Sequence, residues 1–83
     1  MKDEGPVIAG IFGVVLQKQR IALGISQEEL AFRAQVDRTF VSRLERGLRQ
    51  PTITTLFSLG GALGVAPTTL VLETERLLEE AKK

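Results

Sequence analysis

A chain of 83 residues supports one small domain, whose core is marginal unless its packing is very good or a second chain contributes. It holds no cysteine and no histidine, which excludes disulfides, Cys/His zinc sites and the usual thiol or imidazole catalysts. The net charge is only +1, yet residues 18–50 carry seven basic and four acidic side chains and residues 51–83 carry three and four, so positive charge gathers in the middle, as a footprint for a polyanion would.

The first helix is expected from about Ile8 to Leu23, with apolar residues at Ile11, Val14, Val15, Leu16 and Ile21 and a C-terminal cap at Gly24. Its apolar run "VIAGIFGVVL" falls short of the roughly 18 residues that cross a membrane. The run reads either as a signal-peptide core or as a buried helix. The preceding "MKDEGP" has two acids against one lysine, and no small-residue cleavage site is obvious after it, which favours the helix. "SQEEL" opens a second helix over 26–34, with Ser26 as N-cap and Glu29 completing a capping box. Leu30, Ala31 and Ala34 give it an apolar stripe. "QVD" is a tight connection, and Asp37 is suited to cap a third helix over 37–46. Gly47 then takes the C′ position, with Leu48 placed for the hydrophobic contact of a Schellman turn. "RQPT" is a loop. Thr52 caps a fourth helix over 52–63, and Gly64 ends it. Pro67 suits the first turn of a fifth helix over 67–81. No alternating strand pattern competes, so the expected fold is a compact all-α domain of five helices.

On a helical wheel Val36, Phe40, Val41 and Leu44 share one arc, and Arg38, Thr39, Ser42, Arg43 and Arg46 the opposite one. A dry face thus backs a face of long donors and hydroxyls. The tight link to the preceding helix makes residues 26–46 a helix-turn-helix. In that motif the second helix enters the major groove, and the N-terminus of the first faces a phosphate. An arginine there donates two parallel hydrogen bonds to guanine O6 and N7. The alternative is that the three arginines only keep a surface helix solvated.

"RIALGISQEELAFRAQVDRTFVSRLERGLRQPTITTLFSLGGALGVAPTTLV" resembles the phage-repressor and Cro-like helix-turn-helix family, often called XRE, over about residues 11–72. The markers are "LGISQEELA", the "ERG" that closes the third helix, the "P-T" start of the fourth and "ALGV" before the fifth. The "DRTFVSRLERG" string, the short length and the absence of a sensor domain look most like controller proteins of restriction–modification systems. The resemblance implies double-stranded DNA as partner, and base reading by Arg38, Thr39, Ser42 and Arg43. It implies phosphate contacts from Ser26, Gln27, Arg46, Arg49 and the amides around Gln50. It also implies an ion pair between Arg20 and Glu45. On the residues alone Glu45 has two other readings, a solvated acid or a local partner of Arg49.

The sequence departs from the family pattern at three places. Gln35 stands where the turn usually has glycine, so either it takes a positive φ at about 1 kcal/mol of strain or the turn differs. Ala66 replaces a polar cap before the fifth helix. Gly60 and Gly61 interrupt the fourth helix at about 1 kcal/mol each, unless a close helix approach compensates. Phe40 is expected in the core, with the sugar–phosphate surface as the alternative.

The family resemblance also implies a homodimer on a palindromic operator. Leu70, Val71, Leu77 and Leu78 of the fifth helix are the candidate interface, with a monomer bearing a frayed tail as the alternative. The expected function is a sequence-specific, autoregulatory transcription regulator in the cytoplasm, without metal, cofactor, small-molecule ligand or membrane. A second reading is a protein-interaction module, such as an antitoxin that binds a partner as well as DNA. Catalysis is not expected, because no carboxylate cluster or serine–lysine pair has catalytic spacing.

Overall fold

Four of the five helices stop at a residue held with positive φ, and this repeated stop sets the architecture. A computed structural model of the protein describes residues 3–83. These form α1 (Gly5–Leu23), α2 (Gln27–Ala34), α3 (Arg38–Glu45), α4 (Ile53–Leu63) and α5 (Pro67–Ala81), with no strand among the described residues. The fold is all-α, as the punctuation of the sequence predicts. α1 begins at Gly5, three residues before Ile8. Pro6 fits a first helical turn, and the Asp3 carboxylate accepts the Gly5 N–H at 2.9 Å.

The stops at Gly24, Gln35, Gly47 and Gly64 share one hydrogen-bond pair. Ile25, Val36, Leu48 and Val65 N–H reach back to Arg20, Ala31, Arg43 and Gly60 carbonyls, and the positive-φ residue itself donates to the next carbonyl in the helix. These are Schellman turns. Gln35 has φ 59° and ψ 43°, so the turn keeps the glycine geometry and the glutamine carries strain of about 1 kcal/mol. Ile25, Val36 and Val65 fold back onto the core. Leu48 does not. It stays exposed, and the hydrophobic contact expected of it is absent because the loop it begins faces outward.

At the helix starts, Ser26 Oγ accepts Glu29 N–H at 3.0 Å, and Thr52 Oγ1 accepts Thr55 N–H at 3.1 Å. The capping box is only half formed, because the Glu29 carboxylate pairs with Arg33 at 2.7 Å instead of returning to Ser26. Asp37 occupies the N-cap of α3, and Ala66 that of α5, with no side-chain cap bond at either.

Phe12, Val15 and Leu16 of α1, Leu30, Ala31 and Ala34 of α2, Val41 and Leu44 of α3, Leu59 and Leu63 of α4, and Leu70 of α5 make one core. The fully buried leucines each stabilise by roughly 1.5–3 kcal/mol. Leu70 is one of them, so it is a core residue and not the interface residue expected from its helical spacing. Leu77 is half-buried against the same core, Leu78 is half-buried and Val71 is exposed. By length and composition α1 would reach across a bilayer, which the ten-residue apolar run does not suggest. In the fold it packs on α3 and α5, with its inner face in the core and Val7, Val14 and Ile21 exposed.

The two glycines of α4 separate in role. A Cβ on Gly60 would lie 2.8 Å from the Val65 carbonyl oxygen and 3.1 Å from Pro67 N, so the turn into α5 passes directly over it. A Cβ on Gly61 would meet nothing within 4 Å. Gly61→Ala is therefore expected to stabilise the fold by about 1 kcal/mol. Gly60→Ala is expected to destabilise it by roughly 1–3 kcal/mol through overpacking. Thermal unfolding of the two single variants checks the opposite signs.

Candidate nucleic-acid interface

Val41 and Leu44 fix the inner face of α3, and this decides what its outer face presents. Arg38, Thr39, Arg43 and Arg46 are exposed, and Ser42 is half-buried between them. Residues 38–45 make a helix about 12 Å long, a length that fits a major groove about 12 Å wide. Phe40 is half-buried against the core, as expected, and the Arg49 guanidinium sits 5.9 Å from its ring centre. That cation–π contact holds the loop arginine next to the helix.

The arginines divide by partner. Arg20 pairs with Glu45, Arg33 with Glu29, and Arg76 with Glu73 and Glu80. Arg38, Arg43, Arg46 and Arg49 have no acidic partner among the described residues, and all four lie on α3 or the loop after it. Arginines placed only for solvation would be interspersed with acids, as Arg33 and Arg76 are. A cluster left unpaired is a site for an external anion.

Glu45 belongs to a different device. Arg20 Nε donates to its Oε2 at 2.6 Å and Arg20 Nη2 to its Oε1 at 3.0 Å, a bidentate pair. Gln27 Nε2 donates to the same Oε1 at 3.0 Å, and Arg20 Nη1 to the Ile25 carbonyl at 2.9 Å. Only 12% of the Arg20 side chain and 3% of the Glu45 side chain are exposed. The hydrogen bond that Arg20 donates to Glu45, helped by the carboxylate's charge and opposed by burial, holds Arg20 protonated more firmly than an ordinary arginine. The group thus joins the end of α1, the start of α2 and the end of α3. Neither a solvated acid nor a partner of Arg49 describes Glu45.

Gln27 and Gln50 are committed inside the protein. The Gln27 amide binds Glu45, and Gln50 Nε2 donates to the Gly5 carbonyl at 3.2 Å. Their side chains are ties first. Sequence reasoning missed the partner of Gln50, which lies 45 residues away and carries no local signal.

The helix-turn-helix family model matches residues 16–70, most of the chain and all of α2 and α3. The chain belongs to the helix-turn-helix family. It is 44% identical over 52 residues to the HTH-type transcriptional regulator y4dJ of Sinorhizobium fredii, spanning 63% of this chain and 68% of that protein. It is 36% identical over 62 residues to the control protein C.BamHI of Bacillus amyloliquefaciens, spanning 74% and 76%. Among solved structures it resembles the restriction–modification controller protein C.AhdI of Aeromonas hydrophila. The TM-score there is 0.73 at 39% identity, covering 75% of this chain and 94% of that one. This helix-turn-helix protein is a DNA-binding transcription regulator related to controller proteins.

Proposed function

We propose that the chain binds a palindromic operator as a homodimer, reading bases with Arg38, Thr39, Ser42 and Arg43 and holding phosphate with Ser26, Arg46, Arg49 and the backbone near Gln27 and Gln50. The observation that carries this reading is the group of four unpaired arginines on α3 and its following loop. The exposed position of Arg38 and Thr39 in the first turn supports base contact, because that end of a recognition helix meets the base edges. A dimer is supported by exposed apolar side chains on two helices that pack together. Ile53 and Phe57 project from one face of α4, and Val71 and Leu72 from α5. These replace Leu70 in the proposed interface, with Leu77 and Leu78 at its margin. Likeness to control proteins supports control of a restriction–modification operon from the cytoplasm, where level alone would set occupancy.

Selection from random duplex DNA tests the reading. The expected product is a palindrome with half-sites about one helical turn apart. Selection of no sequence would overturn it. On the selected duplex, Arg49→Ala is expected to weaken binding to all sequences alike and to lower the slope of log affinity against log salt by about 1.

A further inference from the structure

α1 carries glycines at 10 and 13, within a helix, where glycine is the poorest ordinary helix former. Both lie against the end of the recognition helix. A Cβ on Gly13 would fall 2.5 Å from the Leu44 carbonyl oxygen, 2.5 Å from that of Glu45 and 2.9 Å from the Glu45 carbonyl carbon. A Cβ on Gly47 would fall 2.9 Å from Gly10 Cα and 3.2 Å from Gly10 N. All of these are backbone atoms, which cannot rotate aside. α1 and the end of α3 therefore meet backbone against backbone. From this contact the chain runs on through Arg46, Gly47, Leu48 and Arg49 to Gln50, whose amide is tied to the Gly5 carbonyl. The loop with the unpaired arginines is thus fastened to α1 at both ends.

We infer that Gly13 is a positioning residue for DNA binding: its missing side chain sets how deeply α1 receives the end of α3, and so where Arg43, Arg46 and Arg49 stand. The inference rests on the proposed DNA-binding surface. Ordinary contacts begin near 3.4 Å, so a methyl group at Gly13 forces the end of α3 to retreat by about 1 Å. Hydrogen bonds from arginine to base or phosphate span only about half an ångström of useful distance. A retreat of that size removes contacts even while the helix stays folded. Arg38, at the far end of α3, is displaced less, so the loss concentrates on the loop.

The test uses Gly13→Ala in the full chain, with wild type and Gly61→Ala as references, well below their unfolding temperatures. The probes are the duplex selected by the wild-type chain and a random-sequence duplex of equal length. Gly13→Ala is expected to bind the selected duplex at least about tenfold more weakly, with the salt slope lowered by about 1–2 as phosphate contacts are lost. Gly61→Ala is expected to bind as wild type. A packing role alone would lower the unfolding temperature of Gly13→Ala and leave affinity and slope of the folded protein unchanged, which would overturn the inference. If Gly13→Ala does not fold, the same substitution in the Gly61→Ala background is read instead. If that also fails, Gly47→Asn decides by the same criteria, since asparagine accepts the positive φ but brings its Cβ against Gly10. A wild-type chain that selects no sequence would count against the proposed function. A wild-type chain that selects one, with Gly13→Ala unimpaired on it, would count against this inference alone.

Discussion

Arg20→Ala is expected to destabilise the protein by about 3–5 kcal/mol, the range for removing one partner of a buried ion pair. The substitution leaves Glu45, whose side chain is 3% exposed, with Gln27 as its one remaining side-chain partner among the described residues. It also frees the Ile25 carbonyl and cuts the end of α1 out of the group, leaving only the Gln27–Glu45 bond between α2 and α3. A domain of this size is stable by only about 4–12 kcal/mol in total, so the loss takes about a quarter or more of what is available. Urea unfolding followed by circular dichroism measures it directly. The exposed pair provides the contrast: Arg33→Ala breaks an i,i+4 bridge in water and is expected to cost less than about 1 kcal/mol. A double variant, Arg20→Met with Glu45→Met, is expected to cost less than Arg20→Ala alone, because no buried charge is left unpaired. A loss below about 1 kcal/mol for Arg20→Ala would reduce the pair to a surface contact. Base preference is expected to survive in the folded fraction.

Arg43→Ala is expected to cost about 1–3 kcal/mol on the selected duplex and to relax preference at one position of each half-site. The side chain is exposed on the outer face of α3, about one turn past its start, and has no acidic partner among the described residues to turn it away. Affinity for random DNA is expected to change far less, because non-specific binding draws on phosphate contacts. Competition binding with point-substituted duplexes reads the change. An equal loss on selected and random DNA would assign Arg43 to phosphate.

Much of this was legible in short stretches of sequence. Ser26 with Glu29, Thr52, and the glycines at 24, 47 and 64 mark helix ends by chemistry that acts within a few residues. The dry arc of Val41 and Leu44 against the outward arc of Arg38 and Arg43 follows from helical period alone. The errors lie where a second element competes for the same group. Glu29 satisfies Arg33 in preference to its own N-cap. Leu70 shares a helical stripe with Leu77, and period alone could not say that α1 and α4 would bury it completely. Leu48 has the sequence position of Ile25, Val36 and Val65 in its turn, yet it stays exposed and off the core.

The sequence by itself determined five helices, their stops, and a middle third rich in positive charge, because caps, periodicity and charge are local properties. Tertiary structure alone decided which arginine finds a distant acid. Arg20 meets Glu45 across 25 residues, while Arg43 and Arg46, close to the same glutamate in sequence, point away from it. It also decided that Gly13 touches the end of α3, since close approach of two backbones depends on how helices cross, and no residue records that in its own neighbourhood.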